Sequence, residues 1–496
     1  MHLTSPYQAS RHDGLTTTVP RVPILEPTPD TSPSPVTVPS IADPGTRAPI
    51  HDPAATRWYR GRVPNSVPAH LSAQRNDPSF ADVWEEIVWR GYVHVSTDPE
   101  ALKTLLSGPP ITYYCGFDPT APSLHLGNLV QLLLMRRLQL AGHRPLGLVG
   151  GSTGLIGDPR PTAERTLNAP ETVADWARLV QAQVSWFLSP EGENGVRIVN
   201  NLDWTAPLSA IDFLREVGKH FRVGTMLKKD AVSARLNSDE GISYTEFSYQ
   251  ILQGLDFREL YRAHGCVLQT GGSDQWGNLT SGTDLVRRSE RATVHAIGTP
   301  LITNSDGTKF GKSEGNAVWL DPELTSPYAF YQFWLNSEDA DVIHRLRLFT
   351  FLDRARIEEL ERAVASEPFR REAQRELAWQ VTTLVHGQAA TESAIAASQA
   401  LFGQGELGAL DEQTLGAALG ELPSARIAAG TTVIQALVDT GLVSSAGEAR
   451  RAIAQGGVYV NNVAVGDAGA VVEDLLHARF AVIRRGKKTL AALTVD

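Results

Sequence analysis

The chain has 496 residues, of which 42% are hydrophobic and 20% charged, and its formal net charge is −10. These values are typical of a globular protein with two or three domains, and the acidic balance argues against a general polyanion binder. No apolar run reaches about 18 residues, and the two cysteines, Cys115 and Cys266, suit neither a disulfide framework nor a zinc site. We therefore expect a cytoplasmic protein with no membrane partner and no dedicated metal site.

The composition of residues 1–78 predicts a disordered tail. Pro, Thr, Ser, Ala and Val dominate this segment up to about residue 70, without apolar periodicity. Such a segment cannot bury enough apolar surface to offset its chain entropy. Order is expected to begin near Phe80, where Val83, Ile87 and Val88 recur at helical spacing.

The order of strands and helices expected in residues 79–325 predicts a parallel α/β domain. A buried strand at 111–117, a helix at 129–140 and a second strand at 144–150 follow one another, which is the order that begins a parallel sheet. The ligand crevice of such a sheet lies at the carboxyl ends of its strands. Polar or glycine residues follow predicted strands at this edge: Thr120, His125, Gly127, Asn200 and Asn201.

Two motifs in this domain suit a nucleoside triphosphate. Residues 125–128, His-Leu-Gly-Asn, stand at a helix N-terminus, where unpaired backbone N–H groups and the helix macrodipole favour phosphate. Residues 309–313, Lys-Phe-Gly-Lys-Ser, supply two ammonium groups on a glycine-containing loop. Together they predict a site that holds the phosphates from two sides without a Walker-type loop.

A helix predicted at 244–264 places three polar side chains on one face. Tyr249, Gln253 and Asp256 recur at i, i+4 and i+7. A solvated face is the alternative on pattern alone, but Lys and Glu normally fill such a surface. Downstream, residues 271–278 form a glycine-rich turn in which an aspartate could accept both hydroxyls of a ribose.

The remainder predicts an all-helical domain at 326–402, a Gly, Ala and Leu-rich linker at 403–430 and a small α+β domain at 431–496. The last domain is locally basic. We expect it to contact RNA phosphates by charge and shape, although a solvated basic face remains the alternative. The candidate residues are Arg450, Arg451, Arg484, Arg485, Lys487 and Lys488.

In this order, and about 180 residues apart, the two motifs resemble the HIGH and KMSKS signatures of class I aminoacyl-tRNA synthetases. Residues 113–120, 244–249 and 271–278 resemble the bacterial tyrosyl-tRNA synthetases within that family. The C-terminal segment is similar to their S4-like RNA-binding domain. The resemblance covers residues 80–496, and it implies a Rossmann-like catalytic domain, a helical anticodon-region domain and the S4-like domain.

The resemblance implies a two-step reaction. Tyrosine carboxylate attacks the α-phosphate of ATP, and the tyrosyl adenylate then transfers its acyl group to the 3′ end of tRNA-Tyr. It assigns Thr120 and His125 to the γ-phosphate, and places Lys309, Lys312 and Ser313 over the pyrophosphate. Further ATP contacts would come from Asp118, Gly127, Asn128, Gly272 and Asp274, with Gly127 giving adenine room to pack. Mg²⁺ would arrive with ATP, without a tightly bound cofactor.

The same resemblance defines a tyrosine pocket. Tyr114 and Asp256 would hydrogen-bond the substrate phenol, and Asp158, Tyr249 and Gln253 would bind its ammonium, with Gln275 near its carboxylate. Phenylalanine would leave the buried Asp256 acceptor unpaired, which costs free energy. A tryptophan-specific relative would not need this pair, so tyrosine is the expected substrate. The family also implies a homodimer.

Two departures from the family pattern stand out. Asn128 replaces the second histidine of the signature and can donate a hydrogen bond but cannot carry charge. The loop 157–165 is one residue shorter than usual and lacks a lysine, so we hypothesise that Arg160 or Arg165 supplies the positive charge.

Two other functions are compatible with the same fold. One is a noncatalytic RNA-binding protein, which the presence of Thr120, His125, Lys309 and Lys312 disfavours. The other is an enzyme that activates a tyrosine analogue or a free small molecule, against which the basic C-terminal segment argues.

Overall fold

The computed structural model describes residues 69–158, 167–239, 241–303, 312–313, 316–486 and 489–495. Several predicted site residues lie outside these ranges, and of Lys312 and Ser313 only the backbone is described. Residues 1–68 of the predicted tail also lie outside the described residues. The site residues outside are Arg160, Arg165, Lys309, Lys487 and Lys488.

The first part of the described chain alternates strands and helices around a central sheet. Its elements are α1 (Ala69–Ser72), α2 (Val83–Arg90), β1 (Val95–Ser96), α3 (Pro99–Leu106), β2 (Thr112–Phe117), α4 (Leu126–Leu140), β3 (Arg144–Val149), α5 (Thr153–Ile156), α6 (Pro170–Phe187), β4 (Arg197–Asn200), α7 (Leu202–Thr205), α8 (Ala210–Asp212), α9 (Val223–Met226), α10 (Asp230–Leu236), α11 (Tyr244–His264), β5 (Cys266–Gly272), α12 (Trp276–Glu290) and β6 (His295–Thr299).

The six strands form one sheet in the order β1-β6-β5-β2-β3-β4. Five of them are parallel, and β1 pairs antiparallel with β6 at one edge. The predicted parallel α/β fold is therefore confirmed. The chain runs from β2 outward through β3 to β4 and then returns to β5 on the other side of β2. The carboxyl ends of β2 and β5 thus flank the topological switch point, where ligands bind in such sheets.

Two helices place polar residues beside this point. Helix α4 is buried along most of its length, in keeping with its apolar sequence, and begins three residues before the predicted start at residue 129. Helix α11 has the predicted bounds. It starts with a capping box between Ser243 and Glu246 and ends at Gly265, whose φ of 61° favours glycine.

The predicted boundary at residue 79 is wrong, because residues 71–78 already pack against the domain. Leu71 is buried, and its carbonyl accepts a hydrogen bond from Arg136 Nη2 at 2.9 Å. The Asp77 carboxylate accepts the backbone N–H of Arg354 at 2.6 Å. These polar contacts to distant helices give no periodic signal in the sequence.

A short hairpin, β7 (Lys312–Ser313) and β8 (Asn316–Ala317), precedes a helical region. Five α-helices lie within residues 326–402, all of which are described, as the predicted all-helical domain requires. Helix α13 begins with a Ser326 cap and with Pro327 at its first position. The five helices are α13 (Pro327–Leu335), α14 (Asp339–Phe349), α15 (Arg354–Ser366), α16 (Glu372–His386) and α17 (Gln388–Leu401).

A buried ionic network joins this helical region to the sheet domain. Glu86 Oε1 accepts from Arg90 Nε at 2.8 Å and from Arg137 Nη1 at 2.6 Å. Arg137 also donates to the Thr350 carbonyl at 2.6 Å, and Arg90 to the Leu352 carbonyl at 2.7 Å. The far end of helix α4 is thereby attached to the segment between α14 and α15.

The C-terminal region contains a second sheet, and the predicted linker contributes to it. Strand β9 pairs parallel with β13 inside the segment 403–430, so the linker prediction is wrong there. The strand order is β11-β10-β12-β13-β9. The elements are α18 (Glu412–Gly420), β9 (Ser424–Ile427), α19 (Val433–Asp439), α20 (Ala446–Ala454), β10 (Val458–Val460), β11 (Val463–Ala464), β12 (Phe480–Arg485) and β13 (Thr489–Val495).

Candidate active site

A cavity of about 360 Å³ opens at the carboxyl ends of β2 and β5, and we call it the central cavity. Every predicted tyrosine or ATP residue whose side chain or glycine backbone is described lines it. The structure therefore brings together residues that are spread over more than half of the sheet domain's sequence. They are Tyr114, Asp118, Thr120, His125, Gly127, Asn128, Asp158, Tyr249, Gln253, Asp256, Gly272, Asp274 and Gln275.

The first signature motif forms a capping box at the start of helix α4. His125 Nδ1 accepts the Gly127 backbone N–H at 3.0 Å, and Asn128 Oδ1 accepts the His125 backbone N–H at 3.1 Å. Asn128 thus has a local structural role in place of the family histidine. A Cβ on Gly127 would lie 2.9 Å from His125 Cε1, so the imidazole itself requires glycine at this position.

Tyr114 and Asp256 line the buried end of the cavity, where the Asp256 charge acts on the Tyr114 phenol. Tyr114 is fully buried and packs edge-on against Phe257, with ring centroids 5.2 Å apart. Its hydroxyl has no hydrogen-bond partner among the described residues. Burial, reinforced by the Asp256 charge, raises the pKa of Tyr114 well above its usual value, so the phenol stays protonated and can donate.

Asp256 is held by two donors: Trp204, which the sequence analysis did not place at the site, and Asn201, which it placed at the edge of the sheet without a role. Trp204 Nε1 donates to Oδ1 at 2.9 Å, and Asn201 Nδ2 donates to Oδ2 at 3.1 Å. Burial raises the pKa of Asp256 to about 7, although these two hydrogen bonds act in the opposite direction. The carboxylate can accept a further hydrogen bond from a ligand, because each oxygen has two lone pairs.

Two more carboxylates lie nearer the cavity mouth. Tyr249 Oη donates to Asp118 Oδ2 at 2.7 Å, and Thr153 Oγ1 donates to Asp118 Oδ1 at 2.6 Å. Burial and the charges of Asp118 and Asp158 raise the pKa of Tyr249 well above its usual value. A concentration of carboxylates in one partly buried cavity favours a cationic group on the ligand.

Asp158 is fixed by two amides at the start of helix α12, one from its N-cap residue and one from its first turn. Gln275 Nε2 donates to its Oδ2 at 2.8 Å, and Asn278 Nδ2 donates to its Oδ1 at 3.1 Å. Asn278 also donates to Gln275 Oε1 at 2.9 Å, so the two amides act as one clamp. The turn predicted at 271–278 is shorter than expected, because β5 extends to Gly272 and α12 begins at Trp276.

Four residues of the site were not assigned a role from the sequence: Thr153, Asn201, Trp204 and Asn278. Asn201 does carry a signal, since it follows a strand at the carboxyl edge of the sheet. Thr153 and Trp204 lie on short helices of four residues, in which no periodicity can be recognised.

The basic C-terminal residues gather around helix α20 and strand β12. Arg450 and Arg451 are exposed on the helix, whereas Arg484 lies over the Tyr459 ring with its guanidinium 4.0 Å from the ring centroid. Arg485 forms an ion pair with Glu448 at 2.8 Å and donates to the Leu442 carbonyl at 2.8 Å. Part of the predicted basic surface therefore also stabilises the domain itself.

Comparisons with known proteins agree with this geometry. Residues 106–403 match the family described as tRNA synthetases class I (W and Y), and residues 415–493 match the tyrosine–tRNA ligase SYY-like C-terminal domain. A tyrosine–tRNA ligase of Leifsonia xyli is 74% identical over 428 residues, which cover 86% of this chain and 97% of that protein. A tyrosine–tRNA ligase of Streptomyces avermitilis is 62% identical over 419 residues, which cover 84% of this chain and 99% of that protein.

Solved structures show the same likeness. A C-terminally truncated mitochondrial tyrosyl-tRNA synthetase of Coccidioides posadasii superposes with a TM-score of 0.56 at 31% identity, covering 64% of this chain and 92% of that one. The corresponding protein of Aspergillus nidulans gives a TM-score of 0.58 at 27% identity, and the match covers 66% of this chain and 95% of that one.

The parallel sheet, the capped histidine motif at its switch point and the family match define a class I aminoacyl-tRNA synthetase of the tryptophan and tyrosine group. Within that class, the chain belongs to the tyrosine–tRNA ligase family. None of the described helices is long and apolar enough to cross a membrane.

Proposed function

We propose that this tyrosine–tRNA ligase activates L-tyrosine with ATP in the central cavity and transfers the tyrosyl group to the 3′ end of tRNA-Tyr. The observation that supports this most strongly is the pairing of Tyr114 and Asp256 at the buried end of the cavity, where a para-hydroxyl would meet both. The mouth of the same cavity is bordered by the N-terminus of helix α4, which suits phosphate.

The substrate tyrosine would lie with its phenol inward and its ammonium outward. Asp256 accepts the phenol O–H, and the Tyr114 O–H, which has no hydrogen-bond partner among the described residues, donates to the phenol oxygen. The ammonium binds among Asp158, Tyr249 and Gln253, and Gln275 lies near the carboxylate. Asp118 lies between the tyrosyl carboxylate and the α-phosphate, with its orientation fixed by Tyr249 and Thr153.

ATP would bind between the two signature motifs. Gly272 and Asp274 hold the ribose, Gly127 and Asn128 border the base, and Thr120 and His125 contact the γ-phosphate side. Lys309, Lys312 and Ser313 then close over the pyrophosphate, and Arg160 or Arg165 adds positive charge there. The ATP phosphates would carry Mg²⁺, which would help to neutralise their charge, as is usual at such sites. Catalysis consists of orientation and charge stabilisation, because the protein forms no covalent bond.

The C-terminal sheet domain would act as the S4-like RNA-binding domain, and the helical region as the anticodon-region domain. Arg450 and Arg451, exposed on helix α20, are placed to contact phosphates, with Arg484, Arg485, Lys487 and Lys488 extending the surface. Replacing Arg450 and Arg451 together by alanine should raise the KM for tRNA and leave adenylate formation unchanged.

We also propose a homodimer in the cytoplasm. Six large apolar side chains between residues 202 and 244 are exposed, and helices α7, α9 and α11, which carry three of them, contribute to one common apolar cluster. Exposed apolar side chains concentrated in one stretch of the chain suit an association site. Light scattering should give the dimer mass, and Ile211→Asp should shift it toward the monomer. The exposed residues are Leu202, Ile211, Leu214, Val223, Leu236 and Tyr244.

The decisive experiment is ATP–pyrophosphate exchange with tyrosine, phenylalanine or tryptophan, followed by charging of a tRNA-Tyr transcript. Exchange with tyrosine and charging of the transcript are expected. If none of the amino acids stimulates ATP–pyrophosphate exchange, a noncatalytic RNA-binding role is favoured instead. If exchange occurs but the transcript is not charged, an enzyme that acts on a free small molecule is favoured.

A further inference from the structure

Two short extended segments run antiparallel at the edge of the central cavity. One precedes helix α4, and the other follows the β7–β8 hairpin. The Leu126 backbone N–H donates to the Val318 carbonyl at 3.2 Å, and the Leu320 N–H donates to the Leu124 carbonyl at 2.9 Å. These bonds flank the bridge between His125 and Trp319 and make the two a non-hydrogen-bonded pair, in which opposite side chains approach closely.

The alternation of burial fixes the face on which this pair lies. Leu124, Leu126, Val318 and Leu320 are all at most 3% exposed and point into the core. His125 and Trp319 therefore share the opposite face, where their ring centroids are 6.1 Å apart with the planes inclined at 59°.

The tryptophan is itself held in place. Its backbone N–H donates to Thr325 Oγ1 at 3.0 Å, and its two neighbours are buried. The β7–β8 hairpin, which begins at Lys312 in the second signature motif, ends directly before Val318. The segment 318–320, which follows strand β8 directly, is thus anchored to the domain beside His125.

The hydrogen-bond pattern also defines the state of the His125 ring. Because Nδ1 accepts the Gly127 N–H, the ring hydrogen resides on Nε2. The Nδ1 edge is attached to the helix N-terminus, and one flank of the ring faces Trp319. These two contacts leave the imidazole little freedom to rotate, so the direction of the Nε2–H bond is fixed as well.

We propose that Trp319 is a positioning residue for the activation step: it holds the His125 imidazole so that Nε2–H points at the ATP phosphates. This inference rests on the proposed role of His125. Trp319 makes no contact with substrate in this account and acts through the histidine alone. If Trp319 has this role, a residue shortly after the second signature motif helps to orient the histidine of the first motif.

The test is a double-mutant cycle on the rate of tyrosyl-adenylate formation, with the variants Trp319→Leu, His125→Ala and the double variant. Trp319→Leu should lower kcat about fivefold with little change in the KM for tyrosine, as expected for a contact that matters in the transition state. In the His125→Ala background the same change should have almost no further effect, since coupled residues are not additive. Trp319→Phe, which keeps an aromatic flank, should restore the rate to within about twofold of the original.

The outcomes separate this inference from the proposed function. If Trp319→Leu slows both backgrounds equally, or if Trp319→Phe is as slow as Trp319→Leu, then Trp319 acts only on general structure and the inference is overturned. Thermal unfolding of each variant identifies such a structural effect independently. If His125→Ala forms adenylate at the unmodified rate, the proposed role of the histidine fails, and the inference fails with it.

Discussion

The indole N–H of Trp204 donates to Asp256 Oδ1 at 2.9 Å, so a residue outside the cavity lining orients the carboxylate at its buried end. Asn201 holds the other oxygen and also donates to Thr153 Oγ1 at 3.0 Å, which in turn donates to Asp118. A continuous chain of hydrogen bonds thus links the proposed phenol site to the proposed α-phosphate site. In the proposed binding mode, one network would therefore position both ends of the substrate.

The first prediction concerns pH. Burial raises the pKa of Asp256 to about 7. In the proposed binding mode, the ionised form is the one that accepts the substrate phenol. As the pH falls through that value the carboxylate becomes protonated, so kcat/KM for tyrosine should decline by up to tenfold per pH unit. This ratio reports ionisation of the free enzyme. Exchange rates at saturating ATP between pH 6 and 8.5 measure it, and a flat profile would contradict the assignment.

The second prediction concerns Trp204→Phe. Loss of a hydrogen bond to a charged group removes about 1.5 kcal/mol from the ionised form, which raises the pKa of Asp256 by about one unit. The midpoint of the tyrosine profile should move to higher pH by that amount. Trp89→Phe is a matched control, because Trp89 lies on helix α2 outside the cavity. If the unmodified protein, Trp204→Phe and Trp89→Phe share the same midpoint pH, then Trp204 does not act on Asp256.

The third prediction concerns Tyr114→Phe. The change removes a buried hydroxyl that has no partner among the described residues and leaves the ring packed on Phe257. We expect the KM for tyrosine to rise about threefold to tenfold, equivalent to about 1 kcal/mol, while exchange with phenylalanine is not weakened. Steady-state exchange with both amino acids measures the ratio. Equal losses for the two would indicate damage to the pocket and not the loss of phenol recognition.

The fourth prediction concerns Gly127→Ala. An added Cβ would come within 2.9 Å of His125 Cε1, so the imidazole must move away from its cap. Adenylate formation should fall at least about tenfold, while the melting temperature stays the same or rises, because alanine favours the helix by about 1 kcal/mol. Gly420→Ala is the control, since a Cβ there meets nothing within 4 Å. Full activity of Gly127→Ala would mean that the ring position is unimportant.

Sequence reasoning succeeded where a local pattern carried the information. The spacing of Tyr249, Gln253 and Asp256 on one helix and the motif at the start of α4 both follow from short-range geometry. Sequence reasoning failed where an element or a side chain depends on a contact with a residue far away in the sequence. Strand β9 lies in a stretch that reads as a linker, and its place in a sheet depends on pairing with the C-terminal strand β13. Trp204 likewise reaches the site from helix α7, which has only four residues and gives no periodic signal.

The fifth prediction concerns the buried network of Glu86, Arg90 and Arg137. Glu86→Gln leaves two guanidinium groups without their counter-charge in the interior, which should lower the free energy of unfolding by about 3 kcal/mol. Urea unfolding measures the loss, and Asp175→Asn in an exposed pair with Arg178 should change nothing measurable. The triple variant Glu86→Leu, Arg90→Met and Arg137→Met should recover much of the stability, since it removes all three buried charges together. If Glu86→Gln unfolds like the unmodified protein, the network does not hold the helical region to helix α4.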